Sequence, residues 1–252
     1  MTVRLGLGLI GIGRPWPSDS DIVPDENDVF ELLDCAVERG VGIFDTAPAY
    51  GLSEERLGAF LQSSRPETRA KIKVFTKVGE QWSQEAGSVV DHSLGALQLS
   101  IEKSVRLLGQ IDLLQVHKAT AELLMNDVFL ADLLSIARSY GITELGVSAR
   151  DERTCEVAVD SGVFSHVQVP FNLTYRELER WILQNRTRVR VIVNRPFSSG
   201  GLRGAQTEEE AASFVTSALQ DGIVLVGTRQ RGHLNQNIEL FSRASAEEVQ
   251  RD

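Results

Sequence analysis

The chain has 252 residues, of which 42% are hydrophobic and 24% charged, and a formal net charge of -9. That length buries a sizeable core and suits a single α/β barrel as well as two smaller domains, and no linker composition forces the second choice. The acidic balance, with no Lys/Arg-rich run to offset it locally, argues against a nucleic-acid backbone or an anionic membrane as partner and leaves a small ligand or a cofactor in a local basic pocket.

A first strand is expected near Leu5 to Ile10, within VRLGLGLIGIG. Gly6, Gly8 and Gly11 there spell GxGxxG, but Arg14, Pro15, Trp16 and Pro17 follow instead of a helix, and no acidic residue sits at a ribose-binding strand end. The dinucleotide fingerprint is therefore rejected. The same stretch alternates with glycine and lacks a small-residue cleavage site, so it is not a secretory signal. Apolar residues at Val29, Leu32, Leu33, Ala36 and Val37 give a helix over Asp28 to Arg39.

The stretch Gly40 to Leu61 holds strand two (Val41, Ile43, Phe44), which ends abruptly at Asp45. A loop punctuated by Pro48 and Gly51 then carries Tyr50, and Ser53 starts helix two, with Glu54 and Glu55 favouring the positive end of its dipole. Strand three, Ile72 to Thr76, ends in Lys77. Helix three is expected from Val90 to Leu108, and strand four, Ile111 to Val116, ends at His117. Helix four covers Ala121 to Tyr140 with Gly141 as its cap, and strand five, Glu144 to Val147, ends at Ser148. Helix five is Glu152 to Ser161. Strand six, Val167 to Val169, contains Gln168, with Asn172 just beyond.

Helix six spans Tyr175 to Asn185, and strand seven, Val189 to Val193, runs into Asn194 and Arg195. A Gly-rich turn, SSGGLRG, leads to helix seven, Glu208 to Gln220. Strand eight is Ile223 to Val226, and helix eight runs from near Gly232 to Ala244. Eight strands alternating with eight helices predict a closed parallel (β/α)8 TIM barrel, one domain over residues 1–252. Cys35 and Cys155 fall in helices far apart and read as free thiols of a reducing compartment. No apolar run reaches transmembrane length, so a soluble cytoplasmic protein is expected.

In such a barrel the C-terminal strand ends carry the chemistry. Asp45, Tyr50, Lys77 and His117 fall there, at or just after strands two, three and four. A phenol needs its pKa lowered to protonate an alkoxide efficiently at neutral pH, and the Lys77 ammonium favours phenolate. Asp45 is the natural counter-ion for that lysine, and His117 would orient a carbonyl oxygen by hydrogen bonding. Taken singly, each has a plainer reading: a capping Asp, a rim Tyr, a solvated Lys, a core His. Together at one rim they are far more specific.

The segments DTAPAYGLSEERLG, FTK, LLQVHK, ELGVS, QVPFN and GTRQRGHLNQN occur in the order and spacing of the aldo-keto reductases, which the chain resembles over nearly its whole length. The resemblance implies NADPH-dependent reduction of an aldehyde or ketone, with Tyr50 as proton donor tuned by Lys77 and Asp45, and His117 orienting a small carbonyl substrate. It implies further that Ser148 and Gln168 hold the nicotinamide carboxamide, that Asp45 and Thr46 lie under its ribose, and that Asn194 and Arg195 lie beside the cofactor. The pyrophosphate would run beneath Ser198, Gly200 and Leu202. Gly227, Thr228, Arg229, His233, Gln236 and Asn237 would face the adenosine end.

Several positions depart from the family pattern. Ala149 stands where an asparagine is common, Asn194 at a position usually aromatic, Gly227 where many relatives place lysine, and His233 where many place arginine. Arg229 or Arg231 would compensate, which leaves NADH possible beside NADPH. Helix eight is followed by only a short segment, so Trp16 and Trp82 are the candidate walls of the substrate pocket. A cofactor-binding redox sensor or partner-binding protein with little turnover is the competing reading. A metal-dependent barrel lacks a ligand set with suitable spacing, so no metal is expected. Substrate identity, reaction direction in the cell and oligomeric state are not encoded in these motifs.

Overall fold

The computed structural model describes residues 3–15, 23–201, 207–219 and 221–249. Eight parallel strands close into a barrel: β1 (Arg4–Gly8), β2 (Ile43–Asp45), β3 (Lys73–Val78), β6 (Leu113–Val116), β7 (Leu145–Ser148), β8 (His166–Pro170), β9 (Arg190–Asn194) and β10 (Ile223–Gly227). Two further strands, β4 (Glu80–Ser83) and β5 (Gly87–Val90), pair antiparallel as a hairpin inserted directly after β3. The barrel order is β1-β10-β9-β8-β7-β6-β3-β2, the (β/α)8 arrangement expected from the alternation of elements.

The helices are α1 (Ile10–Gly13), α2 (Glu26–Glu38), α3 (Ser53–Ser63), α4 (Pro66–Arg69), α5 (Leu94–Leu108), α6 (Ala121–Leu124), α7 (Asp127–Ser139), α8 (Glu152–Asp160), α9 (Glu179–Asn185), α10 (Glu208–Ala218) and α11 (Arg231–Val249). Their apolar faces meet the outside of the strands. The barrel interior is filled by a separate layer of Ile43, Phe75, Leu113, Ile192, Ile223 and Leu225. This layer explains the first glycine of the rejected fingerprint. A Cβ on Gly6 would lie 2.8 Å from Leu225 Cδ2 and 3.0 Å from Ile43 Cγ2, so the residue there must be small to let the layer close.

The structure departs from the expected boundaries in four places. The chain after Lys77 does not run on to a helix at Val90; it forms the β4–β5 hairpin, with Val89 and Val90 exposed, and α5 starts at Leu94. Helix four is two helices, because the Asn126 side chain accepts hydrogen bonds from the backbone N–H groups of Val128 (3.0 Å) and Phe129 (3.2 Å) and starts α7 afresh. Helix six begins at Glu179 and not Tyr175, since Asn172 Oδ1 accepts from the N–H groups of Thr174 and Tyr175, both at 2.9 Å, and holds that segment as a turn. The first strand ends at Gly8, and Ile10, expected to close it, opens α1; Ser53 starts α3 as expected, and its hydroxyl shares a 2.7 Å hydrogen bond with Thr46 Oγ1.

Strand register brings the C-terminal ends to one rim. Gly8 pairs with both Asp45 and Gly227, Lys77 with Gln115, Ser148 with Gln168, and Pro170 with Asn194.

Candidate active site

Asp45 closes β2, Lys77 lies near the end of β3, Gln115 is on β6, and Tyr50 sits in a 3₁₀ turn, Pro48–Tyr50, just after β2. Lys77 and Asp45 are 1% and 2% exposed, and Lys77 Nζ donates to Asp45 Oδ2 at 2.5 Å and to the Thr46 carbonyl at 3.0 Å. Gln115 Nε2 donates to the other carboxylate oxygen at 2.9 Å, so both Asp45 oxygens are satisfied. A buried pair of this kind survives only because each charge is so matched.

The Lys77 ammonium lies over the Tyr50 ring, 4.8 Å from its centroid, and the Tyr50 and His117 rings meet edge to face at 6.1 Å. Asp45, Tyr50, Lys77 and His117 are thus brought together. Burial opposes the charge on Lys77, but Asp45 and Tyr50 outweigh it and hold its pKa above the ordinary value. For Tyr50, burial pushes the pKa up, and the opposing pull of Lys77 does not reverse it. The expected net lowering of the phenol is therefore not what the site produces: Tyr50 is firmly protonated, with an ammonium poised to stabilise its phenolate once the proton leaves.

His117 follows β6 directly, and its Nδ1 lies 2.9 Å from Glu80 Oε2, a contact too oblique for an aligned hydrogen bond. Its carbonyl is bonded by His92 Nε2 at 2.8 Å and its N–H donates to the Val78 carbonyl at 2.8 Å, which locks its backbone. Glu80 reaches this position because Gly79, with φ +101, turns the chain sharply out of β3; a Cβ there would also strike the His92 ring at 2.3 Å. Glu80 is 5% exposed and is flanked by Lys118 Nζ at 3.8 Å. Against the effect of burial, His117 and Lys118 hold its carboxyl down at about 2. Burial lowers the His117 pKa, and Glu80 counters this only in part, so the ring is neutral at pH 7.

Sequence reasoning missed Glu80, Gln115 and Arg14. Arg14 stacks over Trp82, with its Cζ 5.1 Å from the ring centroid, and its charge is felt by Glu80 and Tyr50. The available signal for Glu80 was Gly79-Glu80 one residue after FTK, with two valines soon after Gly87: a turn glycine and a short strand in place of a helix start.

The expected cofactor residues fall on the same rim. Gln168 Oε1 in β8 and Asn194 Oδ1 at the end of β9 are buried and have no hydrogen-bond partner among the described residues. Such orphaned acceptors are costly unless a donor arrives. Ser148 lies beside Gln168 in register. Thr46 is fully buried and its hydroxyl is spent on Ser53, so it offers a ligand no side-chain contact.

In the next loop, Asn172 Nδ2 holds the Arg195 carbonyl at 2.9 Å, and Ser198 Oγ donates to Asn172 Oδ1 at 3.0 Å. The N–H groups of Ser198, Gly200 and Gly201 close turns on Arg195, Phe197 and Ser198. Lys118, Arg195 and Ser198 are non-glycine residues in the left-handed region, with φ of 53°, 56° and 52°, all just beyond barrel strands of this rim.

Farther round, Thr228 Oγ1 accepts from the Gln230 N–H at 3.1 Å, and the Arg229 side chain passes over Gly11 of α1. Arg231 pairs with Glu31 at 3.0 Å, which commits one of the two compensating arginines to α2. Gly227, His233 and Gln236 are exposed and Asn237 is buried. Trp82 lies in β4, whereas Trp16 and Leu202 lie outside the described residues.

The family model of the Aldo/keto reductase family matches residues 4–220. The chain belongs to the aldo/keto reductase family. It is therefore an NAD(P)H-dependent oxidoreductase. This aldo/keto reductase is 26% identical over 261 residues to YqkF of Bacillus subtilis, an uncharacterized oxidoreductase, across 99% of this chain and 74% of that one. The solved structure of PA4992 from Pseudomonas aeruginosa superimposes with a TM-score of 0.78 at 27% identity, over 95% of this chain and 90% of that one. An aldo-keto reductase from Klebsiella pneumoniae, solved in complex with NADPH, shares the fold at a TM-score of 0.71 and 19% identity, over 96% and 86% of the two chains. No described helix is long and apolar enough to cross a membrane.

Proposed function

We propose that this aldo/keto reductase reduces small aldehydes or ketones to alcohols with NADPH, and that Tyr50 is the proton donor. The observation that carries this reading is the buried chain of contacts from Asp45 through Lys77 to the Tyr50 ring, at 2.5 Å and 4.8 Å. NADPH, when bound, supplies the hydride that adds to the carbonyl carbon. Tyr50 gives its proton to the carbonyl oxygen, and the Lys77 ammonium stabilises the phenolate left behind. Asp45 keeps Lys77 charged, and Gln115 keeps Asp45 in place.

The residues fit a dinucleotide of this type. Gln168 and Asn194 present unpaired amide oxygens suited to a carboxamide N–H, with Ser148 adjacent. Arg229 supports a 2′-phosphate at the adenosine end, beside Thr228, His233, Gln236 and Asn237, which is the basis for preferring NADPH to NADH. Arg195 lies within reach of the Tyr50 and Arg150 charges, at the boundary between cofactor and substrate. Arg14 stacked on Trp82 makes one wall of the substrate mouth. Free thiols at Cys35 and Cys155 suit a reducing cytoplasm.

The test is a fluorescence titration with NADPH and with NADH, followed by oxidation of the bound cofactor by a reactive aromatic aldehyde, in wild type and Tyr50→Phe. Binding with turnover that collapses in the variant is the expected result. Tight binding without turnover on a broad carbonyl panel would replace this reading with the redox-sensor one.

A further inference from the structure

Gln168 and Asn194 present orphaned amide oxygens from neighbouring strands, but the two are not equally secured. Gln168 lies inside β8 and is paired on both sides, with Ser148 of β7 and Ile192 of β9. Asn194 is the last residue of β9, and the ladder to β8 ends there on a long bond, from the Phe171 N–H to the Asn194 carbonyl at 3.3 Å. Beyond it Arg195 turns into the left-handed region, with φ 56°, and residue 196 is a proline, which has no N–H to carry the ladder on.

The next bond between these two chain segments comes from a side chain. Asn172, 3% exposed, donates from Nδ2 to the Arg195 carbonyl at 2.9 Å. Its amide orientation is fixed by its surroundings. Oδ1 accepts from the N–H groups of Thr174 and Tyr175, both at 2.9 Å, and from the Ser198 hydroxyl at 3.0 Å, whereas the carbonyl at the other end can only accept. A flipped amide would set oxygen against oxygen and N–H against N–H. The same side chain thus holds Arg195 and Ser198, two of the three left-handed non-glycine residues among those described.

We propose that Asn172 is a positioning residue for the nicotinamide end of the cofactor: it supplies the bond that the ladder lacks, holds Arg195 in its left-handed turn, and so fixes Asn194 Oδ1 beside Gln168 Oε1. This rests on the NAD(P)H reading of the site given above. Asn172 acts through the Arg195 backbone. Without that bond the unfavourable conformation of Arg195 relaxes towards the extended region and carries Asn194 with it.

Asn172→Asp isolates this role. The variant keeps the oxygen that accepts from Thr174 and Tyr175, and replaces the donating amide by a second oxygen that cannot bond the Arg195 carbonyl. The intrinsic fluorescence of the full chain is titrated with NADP+ and, separately, with 2′,5′-ADP, which carries the adenosine end without the nicotinamide, at low and at high salt. The Kd for NADP+ should rise about 10–100-fold in the variant at both salt concentrations, with the Kd for 2′,5′-ADP within about twofold of wild type. Persistence at high salt separates the lost hydrogen bond from repulsion between the new carboxylate and the cofactor phosphates.

A second readout needs no cofactor. Amide hydrogen exchange over residues 194–201, where the Ser198, Gly200 and Gly201 N–H groups close their turns, should quicken in Asn172→Asp while β1, β2 and β3 keep their wild-type rates. Equal NADP+ affinity in wild type and variant, a matching loss of affinity for 2′,5′-ADP, a loss that vanishes at high salt, or unchanged exchange over 194–201 would each overturn the proposal. A wild-type protein that binds neither NADP+ nor NADPH would instead overturn the cofactor reading on which the proposal rests.

Discussion

Gly13 ends α1 directly beneath the turn that carries Tyr50, and its replacement by alanine tests how tightly that turn is set. A Cβ at this position would lie 1.8 Å from the Tyr50 carbonyl oxygen, 2.5 Å from the Ser53 nitrogen and 2.7 Å from Ser53 Cβ. Two of these are backbone atoms, and the Gly13 carbonyl also accepts the Leu52 N–H at 3.0 Å, so no side chain can swing aside to make room. Normal contact requires a retreat of about 1.5 Å by the turn or by α1. Overpacking of this kind costs about 1–3 kcal/mol, and a displacement of about 1 Å at Tyr50 costs on the order of 100-fold in rate.

Gly13→Ala should therefore lower the urea midpoint followed by circular dichroism, and lower kcat/KM for aldehyde reduction about 100-fold with NADPH binding nearly intact. Gly95→Ala is the matched control. Its Cβ meets nothing within 4 Å, and alanine in α5 should add up to about 1 kcal/mol. A Gly13→Ala protein with the wild-type midpoint and more than half the wild-type kcat/KM would refute the reasoning.

Two further outcomes follow from buried charge. Lys77→Met strands the Asp45 carboxylate at 2% exposure and should destabilise the fold by about 3–5 kcal/mol; adding Asp45→Asn should restore much of the stability but none of the turnover, as read by urea unfolding and NADPH oxidation. His166, at the start of β8, is held down to about 4 by burial and by the charges of Arg190 and Arg4, against about 6.5 unfolded. A depressed histidine contributes stability that is complete above pH 6.5 and lost as pH falls towards 4. The loss is about 3 kcal/mol, and His166→Gln should flatten the stability–pH curve in that window. An unchanged curve would show that His166 is not the titrating group.

The barrel was legible in the sequence because most of its strands are short apolar runs, and several of them, β2, β6, β7 and β9, stop at or just before a polar residue on the rim. Asp45, Lys77, His117 and Ser148 were found that way; Asp45, Lys77 and Ser148 sit in strand register at that rim and His117 follows β6 directly. The β4–β5 hairpin was not legible, because Val89 and Val90 face solvent and leave no period to distinguish them from the apolar positions of α5. Glu80 was missed with it, since its importance depends on which strand end it is folded against. The break before α7 was written in Asn126, but the apolar run on either side continues without a gap and masks it. The Gly-rich turn after β9 was legible only as a turn: glycines announce one, and only the structure shows that the N–H groups of Ser198, Gly200 and Gly201 bond within it.

The two ends of the barrel are built to different ends. Towards the N-terminal end the interior is a dry layer of Ile43, Phe75, Leu113, Ile192, Ile223 and Leu225, and stability is stored there at little functional cost. Towards the other end the described strands and the loops that follow carry a buried ion pair, together with three orphaned amide oxygens, on Gln115, Gln168 and Asn194, and three non-glycine residues in the left-handed region, each of these six unfavourable by about 1–3 kcal/mol. Two of the strained residues follow a strand-end side chain immediately: Lys118 follows His117 and Arg195 follows Asn194. A left-handed residue at that point turns the chain away from the barrel axis within one position, so the side chain just before it is left at the rim while the backbone departs. Substituting the strain away would let the backbone continue along the strand direction and carry His117 and Asn194 out of register with Tyr50 and Gln168. The strain is thus the means by which adjacent strand ends present polar groups to one small volume, and the dry layer below is what makes it tolerable.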